Sequence, residues 1–403
     1  MPVLFYRLVN ELSKSIDSME IYVIDYTDGA IAINLEEKKN VKLLPFCDGV
    51  SISPPEDCIL VMQAVLPYSI RPELKILPNT RLFFWNLHAD NLIPVLIPLP
   101  YLRNIQFRNF VFYRLLSFLF YNSLVKRLKF FTEFAVQKKA LYFMDLPNLE
   151  KTSKFLFIDN FIISEFLPVP AVMSNTLKSD YLQEIRELKF TWIGRLCDFK
   201  SHILIYTIKK LSKISFEKKI KFRYFIVGDG PFKQKIIGLD VNHEWFNIEI
   251  IGKLKPQELD LFLLENTDIL TGMGTSALEG AKLGIPTILL DISYYDLKGD
   301  YKYRWIHDTK NYDLGHEITQ KDLEVDNQSL INMIDEALNN YRNISAKALD
   351  YFVQNHEIKH VAKKFIEKVN LSELRFSEID SKIINKSILR RLYDLIKYHR
   401  KLI

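Results

Sequence analysis

Cysteine is rare in this 403-residue chain, and the three present, Cys47, Cys58 and Cys197, stand at no metal-ligand spacing. An odd trio so placed argues against a disulfide framework and a structural zinc site, and fits a reducing compartment. No stretch of about 18 uncharged apolar residues occurs, which argues against a membrane-spanning helix. The opening MPVLFYRLVNELSKS lacks a basic stretch, an apolar run and a small-residue cleavage site in succession, so no secretory signal is expected. Internal repeats and low-complexity tracts are missing too. Glycine is scarce at 13 residues, whereas phenylalanine (28) and tyrosine (20) are plentiful. Aromatic packing must therefore fill much of the core.

With 48% hydrophobic and 26% charged residues the composition is that of a globular protein, not a disordered or fibrous one. The length suits two large domains. The net charge of +5 is small but unevenly spread. Residues 92–140 hold Arg103, Arg108, Arg114, Lys126, Arg127, Lys129, Lys138 and Lys139 against Glu133 alone. Residues 376–403 hold Lys382, Lys386, Arg390, Arg391, Lys397, Arg400 and Lys401 against Glu378, Asp380 and Asp394. The remainder is net acidic, so the two basic segments ask for local partners.

Short apolar, β-branched runs alternate with helical patterns. They lie at 20–25, 41–46, 59–63, 81–85, 140–144 and 160–164 in the first half, and at 189–194, 221–228, 247–252, 267–271 and 286–291 in the second. Such runs predict α/β architecture with two doubly wound parallel sheets covered on both faces. The seam is expected within 167–180, where prolines, Ser174, Asn175 and Thr176 break the periodicity. After about 325 the pattern is helical. The chain opens at once on an amphipathic helix with Leu4, Leu8 and Leu12 on one stripe, so the first strand and loop expected before such a helix are missing.

The strongest constellation follows the strands of the second half. Gly194-Arg195-Leu196 ends one, with Lys200 five residues after the arginine; Gly228-Asp229-Gly230-Pro231 ends the next. Ile251-Gly252-Lys253 ends a third, and Thr271-Gly272-Met273-Gly274-Thr275-Ser276-Ala277-Leu278-Glu279 follows a fourth, leading to Gly284-Ile285-Pro286. In open α/β sheets the carboxyl ends of the strands converge on one crevice. A glycine turn opening a helix there aims backbone N–H groups at an anion. Arg195 adds a fork suited to phosphate and Lys200 a point charge, while Glu279 can accept the hydroxyl protons of a ribose. Singly, each of these residues also reads as a solvated helix or turn residue. A rival reading takes Gly272-x-Gly274-x-x-Ala277, with Asp291 ending the next strand, as a dinucleotide fingerprint for NAD; it leaves Arg195, Lys200 and the Gly228–Pro231 turn unexplained.

Together these motifs resemble the donor-binding half of retaining glycosyltransferases of the GT-B fold, family 4 type, over roughly residues 188–292. The resemblance implies two Rossmann-like domains facing a central cleft, followed by C-terminal helices. It implies an acceptor-side domain over 1–172, a nucleotide-sugar donor domain over 181–365 and a basic helical tail over 366–403 that packs back on the first domain or lies on lipid. Arg195 and Lys200 would grip the diphosphate, and Glu279 the ribose. The turn residues Gly272, Met273 and Gly274 match the family's glycine turn. His88, after the strand at 81–85, would act against the transferred sugar, its bland alternative being a structural histidine at a strand end. Two positions depart from the family: Thr271 replaces its first motif glutamate, and Ser201 replaces the glycine after its lysine. No Asp-x-Asp occurs, so a metal bridging the diphosphate lacks its usual ligands. No metal or other cofactor is expected, and the cations would carry that task.

The basic segment 92–140 interleaves its cations with eleven aromatic residues from Tyr101 to Phe134. That mixture suits the surface of an anionic bilayer, an aromatic core helix with solvated flanks, or, with less support, single-stranded nucleic acid. The tail repeats it, with Ile384, Ile388, Leu392, Leu395 and Ile396 on one stripe. The expected function is transfer of a sugar, with retention, from a UDP- or GDP-linked donor to a lipid-linked saccharide. The setting would be surface polysaccharide assembly (O-antigen or capsule type), at the cytoplasmic face of the inner membrane and without a nucleic-acid partner. A catalytically impaired scaffold that keeps the fold is the alternative from another class.

Overall fold

The computed structural model describes residues 2–15, 19–35, 38–97, 99–159, 161, 163, 165–178, 187–319, 322 and 327–384. The chain divides into two units, Met1–Val169 with Val361–Ile403, and Pro170–His360. Both are α/β, with parallel sheets and helices.

The first unit runs α1 (Pro2–Ser15), β1 (Ile21–Asp25), α2 (Ala30–Asn34), β2 (Val41–Pro45), β3 (Ile59–Gln63), β4 (Arg81–Asn86), α3 (Pro100–Arg108), α4 (Phe110–Phe120), α5 (Asn122–Gln137), β5 (Leu141–Phe143) and α6 (Leu146–Leu156). Instead of one sheet it has two parallel ones, β1-β2 and β3-β4-β5. The cause lies between β2 and β3, where residues 46–58 form no α-helix and include Pro54 and Pro55. A parallel sheet continues only through a crossover, usually helical, and here none forms. β4 is the central strand and is buried from Leu82 to Asn86. Phe84 packs edge-on against Phe131 of α5 at 5.7 Å. Leu374, Ile379 and Ile383 join that cluster from the far end of the chain, and Leu82 N–H donates to the Leu374 carbonyl at 2.9 Å. Of the strand expected at 160–164, Asn160, Ile162 and Ser164 lie outside the described residues.

The second unit runs β6 (Glu187–Ile193), α7 (Asp198–Lys218), β7 (Lys221–Val227), α8 (Lys233–Ile237), β8 (Phe246–Gly252), α9 (Pro256–Asn266), β9 (Ile269–Gly272), α10 (Thr275–Ala281), β10 (Thr287–Leu289), β11 (Arg304–Trp305) and α11 (Leu330–Asn355). Two more helices follow, α12 (Ile358–Asn370) and α13 (Ser381–Ile384). Its six-stranded sheet has the order β11-β10-β9-β6-β7-β8, all neighbours parallel except the β10-β11 pair. The chain enters at the centre with β6, walks outward to β8, then returns to the other side of β6 with β9. That is a doubly wound Rossmann-like sheet with its switch point between β6 and β9. β9 and β10 are buried at every residue, as strands covered on both faces are, and β6 is buried at Leu188 and from Phe190 to Trp192. α7 closes one face with Ile203, Leu204, Ile208 and Leu211, all fully buried.

Candidate functional site

Strand register sets the glycine turns of the second unit side by side. Trp192 of β6 pairs with Thr271 of β9, Ile193 with Val227 of β7, and Val227 with Gly252 of β8. Gly272, Gly194, Gly228 and Gly252 therefore form one row across the carboxyl ends of four adjacent strands, at and beside the switch point. Hydrogen bonds stitch this row together: Gly194 N–H to Val227 O at 3.0 Å, Gly228 N–H to Gly252 O at 2.8 Å and Leu196 N–H to Asp229 O at 3.0 Å. The turns also approach so closely that a Cβ on Gly228 would sit 2.0 Å from the Gly194 carbonyl oxygen, and one on Gly230 2.2 Å from that of Leu196. Backbone occupies the space a side chain would need, so glycine is required at both positions.

The turn from β9 into α10 reverses at Gly274, where φ is +60° and ψ −145°. Its N–H donates to the Leu314 carbonyl at 2.6 Å, so one amide of this turn already has a partner. The next two, on exposed Thr275 and half-buried Ser276, have none among the described residues. Met273 is buried in the main core.

The two cations differ in setting. Arg195 is exposed on the loop after β6 and makes no ion pair or side-chain hydrogen bond among the described residues. Lys200 lies half-buried in the first turn of α7, its Nζ 5.9 Å from the centre of the Phe199 ring. No carboxylate pairs with it among the described residues, and burial pulls its pKa below the ordinary lysine value. A desolvated ammonium without a counter-ion is costly to keep and suits an anion that arrives from outside. Nearby, exposed Asp229 accepts from the Gly230 N–H at 2.9 Å, and Lys253 is exposed after Gly252.

Two other residues singled out by sequence are engaged elsewhere. Thr271 is fully buried, its hydroxyl 2.6 Å from that of Tyr224 inside the sheet. Glu279 is held by Lys282 at 2.6 Å, and Lys282 also reaches Asp260 of α9 at 2.8 Å. Burial would lower the Lys282 pKa, but the two carboxylates outweigh it and raise it. His88 belongs to the first unit, exposed just past the end of β4. Its Nδ1 accepts from the Asp90 N–H at 3.1 Å.

Sequence reasoning missed the buried charge network one strand away. Arg304 clasps Asp291 through Nη1 at 2.7 Å and Nη2 at 2.9 Å, and reaches Asp313 at 3.2 Å. Tyr301 donates to Asp291 at 2.6 Å, and His316 N–H at 3.1 Å. The Asp291 side chain is 2% exposed, so the ribose-binding role of the NAD reading is closed to it: Arg304 and Tyr301 hold both its oxygens. Asp291, Asp313 and His316 also gather as a metal-type ligand set, but the Arg304 guanidinium already supplies the countercharge there. Of these residues the sequence singled out only Asp291, as the end of a strand; its partners Tyr301, Arg304 and the Asp313–His316 loop come from later turns.

No family model matches the chain, and no curated protein does. Several solved structures are similar to part or most of the chain. A UDP complex of a TarM variant from S. aureus matches 61% of this chain at 17% identity, with a TM-score of 0.37. The match covers 47% of TarM, so this chain spans about half the length of that protein. A glycosyltransferase from Rickettsia africae ESF-5 matches over 91% of this chain and 94% of its own, at 12% identity and TM-score 0.46. WaaG, a glycosyltransferase involved in lipopolysaccharide biosynthesis, matches over 91% and 95%, at 13% identity and TM-score 0.47.

Proposed function

We propose that this protein is a GT-B-type glycosyltransferase of the retaining, family 4 kind, which takes a sugar from a UDP- or GDP-linked donor. The observation that carries the reading is the row of glycine turns at the switch point of the second unit, with a half-buried, unpaired Lys200 and a free Arg195 at its edge. The two cations hold the diphosphate, and the unpartnered amides of Thr275 and Ser276 add donors. As the bond between sugar and diphosphate breaks, negative charge grows on the leaving phosphate, and donors already in place stabilise it with little reorganisation. Glu279, part-exposed, keeps acceptor capacity for a ribose hydroxyl beyond its bond to Lys282. His88, exposed past the end of β4, is the side chain for a sugar hydroxyl. The acceptor is a lipid-linked saccharide of surface polysaccharide assembly. The outward apolar stripe of α4 supports work at the inner face of an anionic membrane.

The test is release of nucleotide from a panel of nucleotide-sugars followed by ³¹P NMR, with and without membrane lipid extract. Arg195→Ala is expected to lower kcat/KM by roughly 10²–10³, the usual effect of removing one oxyanion donor; a wild-type rate removes Arg195 from the site. A second reading, a scaffold that keeps the fold without turnover, is favoured by Thr271, whose hydroxyl is tied inside the sheet. Nucleotide binding with no sugar released from any donor would support the scaffold instead.

A further inference from the structure

The second unit has a cleft of about 620 Å³ between the loop at 307–312 and the second half of α11, lined by none of the strand-end turn residues. His307 forms part of its wall. The side chain is 9% exposed and lies parallel to the Trp305 ring, centroids 6.3 Å apart. Its Nδ1 is buried and has no hydrogen-bond partner among the described residues, and burial lowers its pKa, so the ring is neutral at physiological pH. Buried ring nitrogens are normally satisfied, so this one stands as an exception behind the cleft wall.

The rim is strained and its aromatic rings are fixed. Asn311 and Tyr312 stand consecutively in the left-handed region, with φ of 52° and 60°. A bulky tyrosine there is unfavourable, and such strain gathers where a loop is held for a purpose. Tyr312 and Tyr351 both pack against the fully buried His356, at 5.9 and 5.4 Å between centroids, and the Tyr351 hydroxyl meets His356 Nε2 at 3.2 Å. His356 is pinned by its backbone, which donates to Phe352 O at 2.8 Å and accepts from Ala171 N–H at 2.7 Å. Two tyrosines on the cleft wall are thus preorganised before any ligand arrives.

The chemistry of the lining narrows the ligand. One cation, Lys347, stands against two carboxylates, Asp308 and Asp350, a balance that disfavours phosphates and nucleotides. The walls lack the continuous apolar surface that a lipid chain needs. What they offer are carboxylate and amide acceptors, amide donors such as Gln354, and ring faces. Hydroxyl groups satisfy the first two and the C–H faces of a pyranose cover the third. We propose that this cleft binds a neutral oligosaccharide, at a site separate from the diphosphate-binding turns. A free glycan and a lipid-linked one present the same hydroxyl-rich face, so lipid-free sugars test it. The inference stands whether or not the protein transfers sugar.

Isothermal titration of the full chain with maltotriose, cellotriose and chitotriose, each with and without saturating UDP, tests the site. At least one trisaccharide is expected to bind, with affinity unchanged by UDP. Tyr312→Ala and Gln354→Ala are each expected to weaken it about five- to tenfold, as loss of one ring face or one hydrogen bond does. Should Tyr312→Ala fail to fold, Tyr312→Gly suits the left-handed backbone and removes the same ring. Absence of binding by all three sugars, displacement by UDP, or wild-type affinity in the folded variants would each overturn the proposal.

Discussion

Lys200 is a side chain whose charge costs the fold stability. Its charged form is disfavoured by burial and has no carboxylate to offset the loss among the described residues. Its folded pKa lies below that of the unfolded chain, so between the two values the unfolded state binds more protons and stability rises with pH. Lys200→Met keeps the length of the stem and removes the charge. The variant is expected to show a higher Tm at pH 7 than wild type, and to lose the part of the rise in stability with pH that Lys200 contributes. Its affinity for UDP should fall about 10–100-fold, the worth of one charge-assisted hydrogen bond of about 1.5–3 kcal/mol. Thermal unfolding across pH and UDP titration check the two halves separately. A lower Tm with unchanged UDP affinity would make Lys200 a packing residue. Arg195, exposed and without an ion pair among the described residues, is expected to change affinity with little effect on Tm.

At the scale of the element, the segment after β11 controls the turn before α10. Leu314 accepts from Gly274, the His316 carbonyl from Ile292 at 2.6 Å, and the Ile292 carbonyl from Ile318 at 2.8 Å. The charges around His316 hold this segment in place: Asp313 at 2.7 Å and Asp322 at 2.9 Å on its ring nitrogens, Asp291 at 3.4 Å, with Arg304 close by. Burial would lower the His316 pKa, but the carboxylates outweigh it and raise it to about 9. A raised folded pKa means the stabilisation is complete below the unfolded value of about 6.5 and is lost as pH climbs through about 9. Wild type is therefore expected to lose Tm between those limits, and His316→Gln to change much less; equal slopes would refute the clamp. Breaking the buried pair with Arg304→Met should cost about 3–5 kcal/mol at neutral pH. The strands were legible as apolar runs, and the glycine turns as punctuation at their ends. This clamp was not, because Asp291, Arg304 and the Asp313–His316 loop are separated by turns whose folding no local pattern encodes. β11, two residues long, and the break between β2 and β3 escaped for a similar reason: long-range pairing decides them.

Across the whole molecule the charge is polarised between a net acidic bulk and two basic segments, and the structure shows what the first of these presents. Tyr113 and Ser117 of α4 are buried, and Phe110 and Tyr113 pack against Phe155 at 5.5 and 4.7 Å. The opposite face is apolar as well: Val111 is 77% exposed, Leu115 54% and Phe118 73%, and Phe120 at the helix end and Phe130 of α5 add rings 72% and 65% exposed. Arg114 and Lys126 are exposed in the same two helices. The segment is thus both the core helix and the surface patch that its composition allowed. The cations Lys386, Arg390, Arg391, Lys397, Arg400 and Lys401 of the second segment lie outside the described residues. Among the described residues no helix is long and apolar enough to cross a membrane, so contact through α4 would be with one leaflet's surface. Aromatic rings at that depth exchange water for acyl chain, and each nearby cation adds about 1 kcal/mol on anionic lipid. Co-sedimentation with anionic vesicles is therefore expected to weaken at least about tenfold in Phe118→Ser/Phe120→Ser, since burying one such ring contributes about 1.5–3 kcal/mol. Arg114→Gln/Lys126→Gln should weaken binding to anionic vesicles alone, and added salt should imitate it by screening. If wild type sediments equally with neutral and anionic vesicles at low salt, the cations have no part in binding. If the serine variant sediments like wild type, the exposed rings serve another partner than the membrane.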